Sequence, residues 1–420
     1  MKIGFRISSE LQYFMKQFFF LTYAKRAMMH GVISFLLIIS CLLSVVYAQV
    51  ANVKQQTISI RIFASYNTVS INFFHVSGEY SIYGDSTKLF DADKISFITV
   101  SLAGDSVLLQ KPNYLRKFRS VQFVPKTTSS SCKIKSIQPD YKVRTYDDEL
   151  QVSALHKSLR LINKIDIEKY VAGVVQWEVG TKNPQEFNKV KTIVIRTYAL
   201  GNWRRHEDEG FQLCDEVHCQ VFKGKTFSQN IYDAAFQTAE YILVDDSARL
   251  VTAAFHSNCG GQTMNSEDVW SKSVAGLRSV NDTFCLRKTN AVWQKKIPKD
   301  LWLDYVKTKY GFPVSDSNVV KKILNFNQFN RLVYLVNDDF FIPLKFVRED
   351  MKLKSTFFTI KEEGVNVVFS GKGFGHGVGL CQEGAMRMAE KGYSYTKILN
   401  FYYTNIHLIR FSQLDFFNSE

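Results

Sequence analysis

The stretch from Asp166 to Arg205, DIEKYVAGVVQWEVGTKNPQEFNKVKTIVIRTYALGNWRR, constrains this chain more than any other. Its apolar residues recur at three- and four-residue steps, the signature of a helix face. Ile167, Tyr170, Val171, Val174 and Val175 form the first stripe, with Asp166 placed to cap its start and Gly180 to end it. A second helix is expected after a short corner, with Asn183 as cap, Pro184 in the first turn and Glu186 completing a capping box. Phe187, Val190, Val194, Thr197 and Gly201 form its inward stripe. One turn beyond Val171 and Val174 the first stripe reaches Glu178, a carboxylate where the pattern asks for an apolar residue. Glu178 is either the polar end of a helix or a chemical group.

A chain of 420 residues holds one large domain or two modest ones. It is rich in Phe, Tyr and β-branched residues, with no internal repeat and no low-complexity tract. Residues 1–48 read as an export signal. Lys25 and Arg26 precede an apolar run from Val32 to Val46, and Val46-Tyr47-Ala48 gives small residues around a cleavage point. Ile38-Ile39-Ser40-Cys41 offers a rival lipoprotein cleavage box, and the run is a rival signal anchor, short for a span. The expected location is the periplasm or cell envelope. The formal charge is +14, and residues 1–48 carry Lys2, Arg6, Lys16, Lys25 and Arg26 against Glu10, so about +10 belongs to the rest. A basic exported protein favours anionic polymers such as cell-wall glycans, teichoic acids or lipid headgroups, and fits nucleic acid poorly.

Residues 50–125 alternate in short runs (ISIRIF, VSINFF, ISFITVSL, SVLLQ, VQFVP) between turn residues, which predicts antiparallel strands. Residues 126–140, KTTSSSCKIKSIQPD, read as a surface loop. Strands are expected again over 141–152, 159–162, 242–244, 251–256 and 332–336, with a hairpin over 357–369. Helices are expected over 231–241, 299–310, 379–392 and 396–403. The fold class is α+β: a strand-rich N-terminal region over 49–140, then a mixed region over 141–420.

Three further stretches carry candidate chemistry. His206, Cys214, His218 and Cys219 lie within fourteen residues, a ligand set suited to tetrahedral zinc. The adjacent His218 and Cys219 can both ligate only where the backbone bends, and a Cys214–Cys219 disulfide is an equal alternative. No H-E-x-x-H arrangement is present, so a metal here would be structural. The second stretch, AAFHSNCGGQTMNSEDVW, holds His256 and Cys259 but no G-x-S-x-G elbow. In an oxidising compartment a disulfide from Cys259 to Cys285 or to Cys381 ranks above a cysteine nucleophile. The third, GKGFGHGVGLCQEGAMRM, alternates glycines from Gly371 to Gly379, with His376 inside and Gln382 opening the next helix. Such a loop permits close approach to a ligand, but no Gly-Lys-Ser/Thr follows and no βαβ unit surrounds it.

The ordered set YVAGVVQWE, IRTYAL, FHSNCGGQTMNSEDVW and GFGHGVGLCQEGAMRMAEKGYSYTKILNFYYTN resembles the SpoIID/LytB family. The resemblance covers roughly Tyr141 to Leu408; residues 286–344 match no motif and read as an accessory lobe. It implies a bacterial cell-wall protein, a lytic transglycosylase that cuts denuded peptidoglycan glycan strands between N-acetylmuramic acid and N-acetylglucosamine, leaving a 1,6-anhydro end. It places the catalytic acid and base at Glu178, with Trp177 expected to bury it. Arg196, Tyr198, His256, His376 and Gln382 become candidates for sugar contacts or for orienting Glu178. Zinc bound by some members favours His206, Cys214, His218 and Cys219 as ligands. Two departures stand out: Cys259 and Cys381 replace more usual serines. The alternative function is a non-catalytic wall-binding or amidase-enhancing module, with a cell-wall amidase as partner.

Overall fold

The computed structural model describes residues 56–92, 97–337 and 340–414. The export-signal reading of residues 1–48 lies outside them. The chain divides into two units, Met1–Gln56 and Thr57–Glu420, and the second holds every described strand and helix. Among the described residues, no helix is long and apolar enough to cross a membrane.

Alternation builds the first half. In β1 (Thr57–Ile62), Ile58, Ile60 and Ile62 turn inward and the residues between them outward. Eleven more strands continue the chain: β2 (Ser70–Ser77), β3 (Tyr80–Gly84), β4 (Thr87–Asp91), β5 (Ile98–Leu102), β6 (Val107–Lys111), β7 (Tyr114–Phe118), β8 (Ser120–Pro125), β9 (Ser131–Gln138), β10 (Arg144–Asp147), β11 (Glu149–Leu155) and β12 (Ser158–Asp166). With β13 (Leu213–Cys214) they make two sheets, ordered β13-β1-β12-β11-β8-β3-β4 and β10-β9-β2-β5-β6-β7. Ile58, Phe73, Phe123, Ile134 and Leu161 belong to the core these sheets share.

Two expectations fail here. Residues 126–140 are not a loop, because β9 lies within them with Cys132, Ile134 and Ser136 buried. Lys133 and Lys135, on the alternate positions, gave the segment its polar look. Residue 140 is also no boundary: β10 pairs with β9 across it, and strands from both sides share each sheet.

The sandwich leads into α1 (Ile167–Val179) and α2 (Gln185–Gly201). Asp166 caps α1, its Oδ1 accepting from the amides of Glu168 at 2.8 Å and Lys169 at 3.2 Å. The expected capping box on α2 is absent. Asn183 instead donates back to the carbonyls of Val179 and Gly180, closing α1, while Glu186 binds Lys189 and the Tyr395 amide. The helix is enclosed because it stands between two cores. Ile195, Ala199 and Leu200 join the sandwich core; Phe187, Val190, Ile193 and Val194 join a second core with Leu277, Leu380 and Met388.

The remaining elements are α3 (Gln229–Gln237), β14 (Tyr241–Val244), β15 (Phe255–His256), α4 (Glu267–Trp270), β16 (Val292–Pro298), α5 (Lys299–Tyr310), α6 (Ser317–Leu324), β17 (Asn325–Phe326), β18 (Tyr334–Asn337), β19 (Phe340–Pro343), α7 (Leu344–Asp350), β20 (Phe358–Glu363), β21 (Asn366–Lys372), β22 (Leu380–Cys381), α8 (Gln382–Glu390), α9 (Tyr395–Tyr402) and β23 (His407–Arg410). The strand expected over 251–256 shrinks to β15, which pairs in parallel with β22. A third core, including Trp293, Trp302, Phe358 and Phe369, unites β16 to β21. The accessory lobe therefore runs past 344 and takes in the β20–β21 hairpin, since β21 pairs with β16.

Candidate active site and metal cluster

Glu178 lies on the last turn of α1, half-buried, with Oε1 accepting from the Val221 amide at 3.4 Å. That amide belongs to a segment that returns over α1 after the cysteine–histidine stretch. Tyr170 donates to Gln220 at 3.1 Å, and Phe222 and Gly224 cross the helix at Gly173, where a Cβ would stand 2.6 Å from the Gly224 carbonyl oxygen. Trp177, expected to shield the carboxylate, is 50% exposed.

A buried amine that Glu178 influences electrostatically belongs to a residue that sequence reasoning missed. Lys191 on α2 is fully buried, its Nζ 3.2 Å from the centre of the Phe255 ring, without a hydrogen-bond partner among the described residues. Burial pushes its pKa down to about 7, against the pull of the Glu178 carboxylate toward the charged form. The signal was present: Lys191 stands four residues after Phe187, within the apolar stripe, as misplaced as Glu178.

Other buried polar atoms near these residues share this lack of a partner. Gln185 Oε1 and both side-chain polar atoms of Asn188 precede Lys191 at three-residue steps along α2. Gln382 Oε1, at the start of α8, likewise has no partner among the described residues, and α8 packs on α2. Buried polar atoms are normally paired, so a run of exceptions along one helix face stands out.

The glycine loop brings His376 to the same strand. Its Nε2 donates to the Phe255 carbonyl at 2.9 Å and its Nδ1 accepts from the Val378 amide at 3.1 Å, so the neutral ring is the one that fits. Burial pushes its pKa down to about 4. Phe255 thus carries His376 on its carbonyl and Lys191 on its ring, linking the glycine loop to the Glu178 side. Gly375 permits the crossing, because a Cβ there would lie 2.8 Å from His256 Cβ. His256 is buried, donates from Nδ1 to the Val378 carbonyl at 3.1 Å and leaves Nε2 without a partner among the described residues. Burial holds it well below the usual histidine range. Trp270 stands beside His376, ring centres 5.6 Å apart, and both line a cavity of 180 Å³ with Asp268, Arg348 and Glu349.

Two candidates stand elsewhere. Arg196 does not meet Glu178 or open solvent. It is fully buried, bound through Nε and Nη2 to Glu168 and through Nη1 and Nη2 to the carbonyls of Tyr241 and Ala235. A carboxylate on the facing turn of α1 claims it, one that the apolar stripe did not mark. Tyr198 accepts from Arg205 at 2.8 Å, and Arg205 donates to the His218 carbonyl at 2.7 Å, so Tyr198 belongs with the cysteine–histidine stretch. A cavity of 690 Å³ lies at Tyr198, Arg205 and Leu250, and neither Glu178 nor His376 lines it.

His206, Cys214, His218 and Cys219 bring one ligand atom each to within 4.8 Å of all the others. Cys219 Sγ lies 3.4 Å from His206 Nε2 and 3.6 Å from His218 Nδ1, and Cys214 Sγ lies 3.9 Å from His218 Nδ1. Both cysteines are free thiols. Cys214 donating to Cys219 holds the latter down to about 6 and pushes Cys214 up. The backbone bends as adjacent ligands require, the Cys219 amide returning to the Glu216 carbonyl at 2.9 Å. His206 Nδ1 meets Glu209 Oε1 at 2.6 Å, a carboxylate that orients the ring with Nε2 inward. Pairing of Cys214 with Arg61 on β1, and buried Asp215 bound to Arg144 and the amides of Phe63 and Ala64, fix this stretch on the sandwich.

A sandwich that presents a helix pair, a half-buried glutamate and a thiol–imidazole cluster defines an α+β protein with its candidate chemistry between two cores. The family model for SpoIID, described as Stage II sporulation protein, matches residues 155–244, from the end of β11 through β12, both helices and the cluster to β14. The chain is 27% identical to Stage II sporulation protein D of Bacillus amyloliquefaciens over 70% of its own length and 87% of that protein. It is 26% identical to an uncharacterized protein of Brachyspira hyodysenteriae, over 64% of this chain and 74% of the other. It is also 27% identical to the amidase enhancer of Bacillus subtilis, over 55% of this chain and 39% of that protein. Residues 155–244 match the SpoIID model, and these matches together support the SpoIID/LytB family.

Proposed function

We propose that this chain acts on the bacterial cell wall as a lytic transglycosylase of denuded glycan strands, with Glu178 as general acid and then base. The observation that carries the reading is the half-buried Glu178 carboxylate at the end of α1, its Oε1 accepting from the Val221 amide at 3.4 Å, with unpartnered polar side chains along the neighbouring α2 among the described residues. Hydrolytic glycosidases use two carboxyl groups, one to protonate the leaving oxygen and one to attack or to activate water. Here one carboxyl serves twice. Glu178 gives its proton to the oxygen between N-acetylmuramic acid and N-acetylglucosamine as that bond breaks. Its carboxylate then takes the proton of the muramic C6 hydroxyl as that oxygen closes on C1, giving the 1,6-anhydro end. Gln185 and Gln382, each partly exposed, supply hydrogen bonds to sugar hydroxyls, and Trp177 and Trp270 offer ring faces. His256 and His376, both neutral, orient rather than exchange protons.

Zinc is the proposed structural cofactor, since donors within 4.8 Å of one another suit a tetrahedral ion. His206, Cys214, His218 and Cys219 would hold it, and its chemistry there is cross-linking. Cys219 stands two residues before Val221, so the ligands anchor the segment whose amide holds Glu178. Export to the periplasm or envelope, and glycan strands as partner, complete the proposal.

The test is to incubate the protein and Glu178→Gln with denuded glycan and read the products by mass. Anhydro ends from the unsubstituted protein and a loss of about 10²-fold or more in the variant are expected. Equal release by both, or none by either, overturns the assignment. A second reading follows from the relative named amidase enhancer: a module that raises the activity of a cell-wall amidase. In that case Glu178→Gln stimulates an added amidase as well as the unsubstituted protein does.

A further inference from the structure

The second core encloses a cluster that the proposed reaction leaves unused. Cys259, Asp282, Cys285 and Cys381 are fully buried, and their ligand atoms lie within 4.8 Å of one another. The three cysteines are free thiols, so the expected disulfide is absent; Cys259 Sγ lies 3.4 Å from Cys285 Sγ and 3.3 Å from Asp282 Oδ2. We propose that these four side chains form a second, mononuclear zinc site of the three-thiolate, one-carboxylate type.

Four features support it. A tetrahedral ion with zinc–sulfur bonds of about 2.3 Å sets its ligand atoms roughly 3.8 Å apart, and the cluster fits that spacing where a polynuclear iron–sulfur centre needs wider separations. Backbone amides donate to sulfur: Cys259 N to Cys381 Sγ at 3.2 Å and Gly384 N, in the first turn of α8, to the same sulfur at 3.4 Å, an arrangement that favours thiolate. Tyr402 donates to Asp282 Oδ2 at 2.9 Å, a second layer that orients the carboxylate. Finally, a disulfide would use two sulfurs and leave the third thiol and a fully enclosed carboxylate around a neutral bond, whereas a divalent cation engages all four. Soft thiolates with one carboxylate, and no open coordination position, select structural zinc. The site would tie the end of β15, the loop at 282–285 and the start of α8 together. It does not depend on the proposed reaction or on the first cluster.

The experiment measures zinc per chain in the full-length protein, prepared in zinc-containing medium, and in the Cys214→Ser/Cys219→Ser variant. One equivalent of zinc surviving in the variant is expected, lost when Cys259→Ser and Cys381→Ser are added. A check without substitutions guards against misfolded variants: as chelator withdraws zinc from the native protein, Cys259, Cys285 and Cys381 become open to alkylation in step with the metal's release. A variant free of zinc overturns the proposal if these thiols in the unsubstituted protein are alkylated at the same rate with and without chelator. A mass two hydrogens lower, mapped to a Cys259–Cys285 or Cys259–Cys381 cross-link, also overturns it.

Discussion

Lys191 shows how much a single side chain can be held against its own chemistry. An amine normally near 10.5 is brought to about 7 by burial. Between those values the unfolded chain binds more protons than the folded one, so stability rises with pH from about 7 to about 10.5. Below about 7 both forms are protonated and the cost is fully present. Lys191→Met should therefore stabilise the protein at neutral pH by on the order of a few kcal/mol and flatten that slope, while lowering glycan cleavage. Denaturant titrations at pH 6, 8 and 10 test the first part; an unchanged slope would count against a desolvated amine. His376 works in the other window. Held at about 4 against an ordinary 6.5, it makes stability fall as pH drops between those values, because the unfolded ring takes the proton first. His376→Gln should reduce that acid sensitivity, read by unfolding between pH 4 and 7, with His256 accounting for what remains.

Among the elements, α1 and α2 were the most legible. Their apolar steps and the Asp166 cap were readable because helix periodicity is local. Partnerships across helices were not. Glu168 and Arg196 meet over a sequence gap that no local pattern encodes, and Asn183 turns back to α1 instead of forward to α2. β9 escaped notice for a related reason: alternate lysines lower a strand's mean hydropathy without disturbing its inward face. The Arg196–Glu168 pair makes its own prediction. Arg196→Met leaves Glu168 enclosed without its cation and should destabilise by about 3–5 kcal/mol, whereas Arg196→Met/Glu168→Leu should recover most of the loss. Thermal unfolding of both variants decides it. A similar loss in the single and double variants would mean the pair matters for shape rather than for charge.

At the scale of the molecule, the candidate site was half legible. Glu178, the four-ligand cluster and the glycine loop announced themselves by residue type, yet Lys191, Asn188 and the Phe255 link depend on segments far apart in sequence. The extent of the accessory lobe also needed β16 paired with β21, which lie on either side of the unmatched stretch. The first cluster should govern activity from a distance. If zinc anchors Cys219, chelation frees the segment bearing Val221, and glycan cleavage should fall with the metal and return on adding zinc, with little change in the sandwich strands. Activity measured alongside far-ultraviolet circular dichroism would show it; cleavage unaffected by complete zinc removal would break the coupling.

The placement of α2 in both the sandwich core and the second core has a kinetic meaning. A helix shared by two cores cannot exchange its amide hydrogens when only one of them loosens locally, since the other still holds part of its length. The amides from Ile193 to Ala199 should then be among the slowest to take up deuterium, exchanging only through an opening that involves both cores. The residues around Glu178 would thereby inherit the persistence of the whole unit.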